Sequence, residues 1–358
     1  MMQFTLFGYP KSGKTTLFNL LTGAGIEIKA YENQKKEPHL RTATVPDKRL
    51  DAISGLYPDK EKKPVVIEFI DMAGTAFGEI KNSTYLNHLR IADGLVHVAR
   101  GFHNEQLPHP KGSVDASRDS SFMEEELAFT DLVSIETRLE KLTKELARNK
   151  SPEGEKEKEL LEVLLNHLEN GRPLRGIDLN PNQEKQIKHF SFLSRKPLLQ
   201  AINVDEKDIS LIENPEQLYS SDVEKTAVFG FSGRIESEIM ELDKEEKQLF
   251  LQEYGLNQES TPRFLRAAYD LLKVITFYTI GDKEVKAWSI KQGTTALNAA
   301  GAIHSDIEKG FIKAEITPAL ELIKYGSIPS ARENAAIHLE GKDYVVQDGD
   351  IIQFRFSK

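Results

Sequence analysis

Apolar residues along the first half of the chain follow two alternating rhythms. Short runs at Phe4–Phe7, Val65–Ile70, Leu95–Ala99, Leu198–Asn203 and Val228–Phe231 read as strands. Between them lie stretches whose apolar residues recur at three- and four-residue steps, as Leu17, Phe18, Leu20 and Leu21 do, and these read as helices. Such alternation predicts an α/β fold, a mostly parallel sheet covered by helices. From Glu124 to about Leu168 the helical rhythm takes over: Leu132, Ile135, Leu139, Leu142 and Leu146, a turn containing Pro152 and Gly154, then Leu161, Leu164 and Leu168. This pattern predicts a helical hairpin with solvated Lys/Glu faces. Strands resume at Leu198, so the hairpin reads as an insertion. From Thr276 the texture changes to short β-rich runs, among them Phe277–Ile280, Val285–Ile290 and Ile351–Phe356, separated by Gly and Asp turns. The expected domains are residues 1–120 and 196–275, with the hairpin at 121–195 and a small β-rich domain at 276–358.

Composition narrows the classes. The 358 residues include no cysteine, which excludes disulfides, thiolate zinc sites and cysteine nucleophiles and fits a reducing compartment such as the cytoplasm. No stretch approaches the roughly 18 apolar residues of a membrane span, so no membrane partner is expected. A net charge of -9, from 47 Lys+Arg against 56 Asp+Glu, argues against a phosphate-backbone binder such as a sequence-specific DNA protein.

The strongest local signal is Gly8-Tyr9-Pro10-Lys11-Ser12-Gly13-Lys14-Thr15, placed at a strand end and followed by a helical pattern. This is the spacing of a phosphate-binding loop. Backbone amides of Lys11, Ser12, Gly13, Lys14, Thr15 and Thr16 can close around a triphosphate at a helix N-terminus, with Lys14 on the β/γ oxygens and the Thr15 hydroxyl on Mg²⁺. The strand Val65–Ile70 delivers Asp71 to its carboxyl end, and Gly74 follows. Asp71 is the expected second member of the Mg²⁺ shell, and the Gly74 amide the expected sensor of the γ-phosphate. Two further strand-end loops, with Asn203 and Glu206 in one and Ser232 and Gly233 in the other, stand where doubly wound sheets bind the base of a nucleotide. A guanine-selective site usually presents Asn-Lys-x-Asp. This chain has Asn203-Val204-Asp205-Glu206, which argues against strict guanine selectivity.

With these motifs in hand, the sequence resembles the YchF branch of the Obg-like P-loop NTPases over nearly its whole length. The likeness is densest at Glu284-Val285-Lys286-Ala287-Trp288, Ala300–Asp306, Glu308–Ile312 and Tyr344–Asp350. The resemblance implies a Ras-like G domain, an inserted helical hairpin, a C-terminal ubiquitin-like (β-grasp) TGS domain, ATP used in preference to or alongside GTP, Mg²⁺, and association with ribosomes. It also implies that a histidine replaces the usual water-orienting glutamine. Within Phe102–His109 that role falls on His109, which read by itself is a solvent-exposed histidine between two prolines. The chain departs from the family pattern at Thr75, where a hydrophobic residue is usual. It departs again at Tyr31–His39, which lacks the usual Tyr-Pro-Phe-x-Thr and leaves Thr42 and Thr44 as loose substitutes for its threonine. A slow or partner-activated switch is therefore expected, the alternative being a nucleotide-dependent binding module with negligible hydrolysis.

Overall fold

A computed structural model describes residues 2–26, 38–72 and 83–357. The chain divides into two compact units, one of residues 1–43 and 68–271, the other of residues 44–67 and 272–358.

The first unit is built on a six-stranded sheet, in the order β2 (His39–Thr44), β4 (Val66–Asp71), β1 (Met2–Phe7), β5 (Gly94–Gly101), β6 (Leu198–Val204), β7 (Thr226–Phe231). From β1 to β7 the pairing is parallel, with Phe4 opposite Gly94, Val96 opposite Leu199 and Gln200 opposite Val228. The near-continuous apolar character of β5 and β6 follows, because a parallel strand is covered on both faces. One face carries an aromatic cluster in which Phe69 and Phe229 meet Phe264, from α9 (Ser260–Leu272), edge-on at 5.7 and 5.3 Å. Another cluster joins Phe7, Leu95 and Ile70 to Leu89 of α3 (Ser83–Ile91) and to Met123 and Leu127 of α4 (Ala116–Arg148). The beginning of α4 thus belongs to the sheet's core and its far end to the hairpin. There α4 packs on α5 (Pro152–Glu169) through Ile135, Leu142, Leu161, Leu164 and Leu168, and Arg138 crosses to the Glu157 carboxylate at 2.7 and 2.9 Å. Ser151 caps α5 by accepting from the Gly154 amide at 3.2 Å, which explains the turn marked in the sequence. The short α6 (Pro181–Ile187) leads back to β6, and α7 (Gly233–Glu241) and α8 (Lys244–Glu253) follow β7. The helix that begins at the phosphate-loop motif is α1 (Lys14–Thr22), with Leu17, Phe18, Leu20 and Leu21 buried as the periodicity requires.

The second unit is a mixed sheet in the order β11 (His338–Glu340), β10 (Phe311–Pro318), β12 (Asp350–Phe356), β8 (Val274–Ile280), β9 (Glu284–Lys291), β3 (Glu61–Lys63). β8 and β9 form an antiparallel hairpin, whereas β12 runs parallel to β8. Helix α10 (Ala296–Ile303) covers the sheet by packing Ala296 and Ala299 against Phe277, Ala314 and Ile352. The shorter helices α11 (Ser305–Lys309), α12 (Ala319–Tyr325) and α13 (Ile328–Glu333) complete it.

The alternation of strands and helices assigns residues 44–67 to the first domain, but they fold with residues 272–358 instead. The bonds that hold them there are specific. Asp47 caps α2 (Lys48–Gly55) by accepting from the Arg49 amide at 2.9 Å, and its other oxygen accepts from the buried Tyr278 hydroxyl. Arg49 donates to Asp348 at 2.7 Å, and β3 pairs in parallel with β9, Glu61 opposite Glu284.

Candidate functional site

A cavity of about 660 Å³ opens in the first unit. Its walls come from four segments that follow strands of the parallel sheet: Lys11 and Gly13–Thr16 after β1, Phe102, His103, Asn104 and Leu107 after β5, Asn203–Glu206 at the end of β6, and Ser232–Arg234 after β7. Strand polarity brings all four to one edge, the position at which parallel sheets take ligands.

The β1–α1 loop has the backbone of an anion cradle. Gly8, Lys11 and Gly13 hold positive φ of 140°, 61° and 101°, a run of turns that aims successive amides at one point. Two of these positions admit no side chain. A Cβ on Gly8 would lie 2.6 Å from the Val98 carbonyl, and one on Gly13 would lie 2.2 Å from Nδ2 of Asn203. Gly13 is the N-cap of α1 and offers no side-chain cap, so amides of the helix's first turn remain available to a ligand. Lys14 is almost fully buried, and its ammonium donates to the Tyr9 carbonyl of its own loop at 2.7 Å. The Thr15 hydroxyl donates to Oδ2 of Asp71 at 2.7 Å. Asp71, 3% exposed at the end of β4, stands behind Thr15. The hydroxyl of Ser12 is buried without a hydrogen-bond partner among the described residues, and so is that of Ser232. A hydroxyl and a carboxylate this close are hard oxygen donors of the kind Mg²⁺ takes.

Asn203 does more than its sequence position announced. Its Nδ2 donates to the Ser12 carbonyl at 3.1 Å and its Oδ1 accepts from the Gly233 amide at 2.9 Å, so one buried amide pins the β1–α1 loop to the start of α7. The far side of that start is held by Glu236, whose carboxylate accepts from the Ser260 amide and from Arg263 at 3.1 Å. Burial pushes the Glu236 carboxyl above its ordinary range. Glu206 lines the cavity and accepts from the Tyr254 hydroxyl at 3.1 Å.

His109 is neither in the cavity wall nor in solvent. Its side chain is 3% exposed, with Nε2 3.0 Å from Oδ2 of Asp119, and it lies edge-on to Tyr9 at 5.9 Å. Nδ1 accepts from the Lys111 amide at 3.2 Å, which leaves the proton on Nε2, facing Asp119. Burial lowers the imidazole's pKa, with the Asp119 carboxylate opposing that shift. Gly74 and Thr75 lie outside the described residues, as do residues 31–37; Thr42 is an exposed residue of β2 and does not line the cavity.

Several contributors went unmarked in the sequence. Arg100 is buried and donates to the carbonyls of Phe102, Leu107 and Asn104 at 3.1, 2.7 and 3.3 Å, thereby fixing the cavity wall after β5. An arginine at the end of an apolar strand was the available signal. Beneath the loop, His97 is fully buried, with Nδ1 2.7 Å from Oε1 of Gln200 on the neighbouring strand. A Cβ on Gly8 would come within 3.2 Å of this ring. Burial pushes the His97 imidazole down to about 4.

Phosphate loop, parallel sheet and strand-end cavity together define a P-loop protein with a Ras-like G domain, carrying an inserted helical hairpin and a C-terminal β-grasp domain. Comparison with known proteins agrees. Residues 3–125 match a family model described as 50S ribosome-binding GTPase (MMR_HSR1), and residues 274–357 match YchF-GTPase_C, described as a protein of unknown function. The chain is 37% identical to the "Ribosome-binding ATPase YchF" of Bacillus subtilis and 38% identical to that of Haemophilus influenzae, each over 98% of both chains. A solved structure, the Schizosaccharomyces pombe YchF GTPase, superposes with a TM-score of 0.83 at 26% identity, over 99% of this chain and 97% of that one. The chain belongs to the YchF family. Among the described residues, no helix is long and apolar enough to cross a membrane.

Proposed function

We propose that the chain is a cytoplasmic, Mg²⁺-dependent P-loop nucleoside triphosphatase that hydrolyses ATP slowly, accepts GTP as a second substrate, and uses the cycle as a switch on the ribosome. The observation that carries this reading is the pair of internal contacts at the loop, Lys14 on the Tyr9 carbonyl and Thr15 on Asp71. Each sets a phosphate- or metal-binding group at the loop, where a phosphate oxygen or a metal ion can take it over. A phosphate oxygen is a charged acceptor and a better partner for an ammonium than a neutral carbonyl is. Thr15 and Asp71 are the residues to hold Mg²⁺, which when bound neutralises charge on the β- and γ-phosphate oxygens. Amides of residues 11–16 bind the phosphates, and Asn203 keeps that loop in register with the Ser232–Gly233 loop. Glu206 faces the base. The Gly74 amide is the expected γ-phosphate contact.

The relatives' names support a ribosomal partner, and the hairpin and the 272–358 unit are the docking elements of this proposal. Single-turnover phosphate release from ATP tests the enzyme: it is Mg²⁺-dependent and abolished by Lys14→Ala if the reading holds. Tight nucleotide binding without turnover supports the second reading, a binding module. One observation favours that alternative, the packing of His109 against Asp119 away from the cavity wall.

A further inference from the structure

What a carboxylate can read depends on what already occupies its oxygens. Glu206 has a hydrogen bond on one and a cation near the other: Oε1 accepts from the Tyr254 hydroxyl at 3.1 Å, and Oε2 lies 3.8 Å from Nη1 of Arg234. Arg234 stands on the first turn of α7, lines the cavity, and is steadied by Glu238, with Nε 3.5 Å from Oε1. Guanine presents two adjacent N–H donors and needs both oxygens of one carboxylate. Adenine presents an amino donor beside a bare ring nitrogen, so an acceptor next to a donor satisfies it. A Glu206 carboxylate that keeps Tyr254 and Arg234 beside it must share its oxygens to pair with both guanine donors, and Arg234 sets donors of its own against guanine's N–H edge. The same carboxylate with a guanidinium beside it offers adenine its acceptor and its donor.

Resting on the reading of this cavity as a nucleotide site, we infer that Arg234 is a specificity-determining residue that, together with Tyr254, turns Glu206 away from guanine and toward adenine. Because the Arg234 side chain is 76% exposed and that of Glu206 43%, the effect has the size of an exposed ion pair, about two- to fivefold in relative affinity.

The test is equilibrium titration of the full chain with labelled ATP and labelled GTP in Mg²⁺. Arg234→Ala raises the affinity for GTP relative to ATP by about two- to fivefold, and Arg234→Lys, which keeps a cation at the carboxylate, preserves the original ratio. Adding Tyr254→Phe to Arg234→Ala moves the ratio further toward GTP. An unchanged ratio in Arg234→Ala, or an equal loss for both nucleotides, overturns the inference and leaves the nucleotide site standing. An unsubstituted chain that binds neither nucleotide overturns the site and the inference together. The Arg234 side chain is 76% exposed, so its replacement does not threaten folding.

Discussion

Replacing Asn203 with alanine removes a buried amide that joins two loops from separate strands. The bonds lost are Nδ2 to the Ser12 carbonyl at 3.1 Å and the Gly233 amide to Oδ1 at 2.9 Å. Each is worth about 1 kcal/mol net, and a buried backbone group left without a partner adds to that. Loss of stability on the order of 2–3 kcal/mol follows, equivalent to roughly 2–4 °C in Tm per kcal/mol for a unit of this size. Nucleotide affinity falls as well, because the amides of the phosphate loop lose the brace that aims them. The direction of that fall is diagnostic: a brace acts on the phosphates, which ATP and GTP share, so both weaken by the same factor, about tenfold if 1.4 kcal/mol of the loss reaches the bound state. Thermal denaturation followed by titration with labelled ATP and GTP measures both effects. An unchanged Tm, or a loss confined to one nucleotide, refutes the bracing role and returns Asn203 to simple base recognition.

Other expectations follow from the same geometry. Thr15→Ala and Asp71→Ala each remove one of two facing oxygen donors, so ATP binding in either variant loses most of its dependence on Mg²⁺, read by titration with and without EDTA. Glu206→Asp draws the carboxylate back from Tyr254 and Arg234 and shifts relative affinity toward GTP, as competition between the two labelled nucleotides shows; an unmoved ratio counts against Glu206 as the base reader. His97, held down to about 4 by burial against an ordinary 6.5, takes up a proton more readily in the unfolded chain. Stability therefore falls as pH drops from about 6.5 toward 4, by up to about 3 kcal/mol, and His97→Phe flattens that slope in denaturant titrations run across the same window. Deleting residues 274–358 strips β3 of β9 and Asp47 of Tyr278, so hydrogen exchange in residues 44–67 accelerates while the P-loop keeps its protection.

The phosphate loop was legible because its chemistry is local: Gly8 and Gly13 are required by clashes with Val98 and Asn203, and the motif spacing records that requirement. The parallel sheet and the hairpin were legible from periodicity, which reports which face a helix or strand buries. Residues 44–67 were not. Their strand, Glu61-Lys62-Lys63, is three charged residues at a sheet edge, where one flank needs no apolar neighbour and hydrophobic patterning has nothing to record. His109 escaped for another reason. A proline on either side suggests an exposed loop, whereas its burial depends on Asp119 and Tyr9, which only tertiary structure brings to it. Arg234 falls in the strand-end segment Ser232–Glu236 that the sequence singles out for base recognition, but its place beside Glu206 follows only from the meeting of two strand-end loops.

A crystal structure of the chain with a non-hydrolysable ATP analogue and Mg²⁺ bears most directly on the nucleotide site. The expected result has the triphosphate on the amides of residues 11–16, Lys14 moved from the Tyr9 carbonyl onto a phosphate oxygen, and the metal between Thr15 and Asp71. A polyphosphate bound elsewhere, with Lys14 still on Tyr9 and Thr15 still on Asp71, contradicts it.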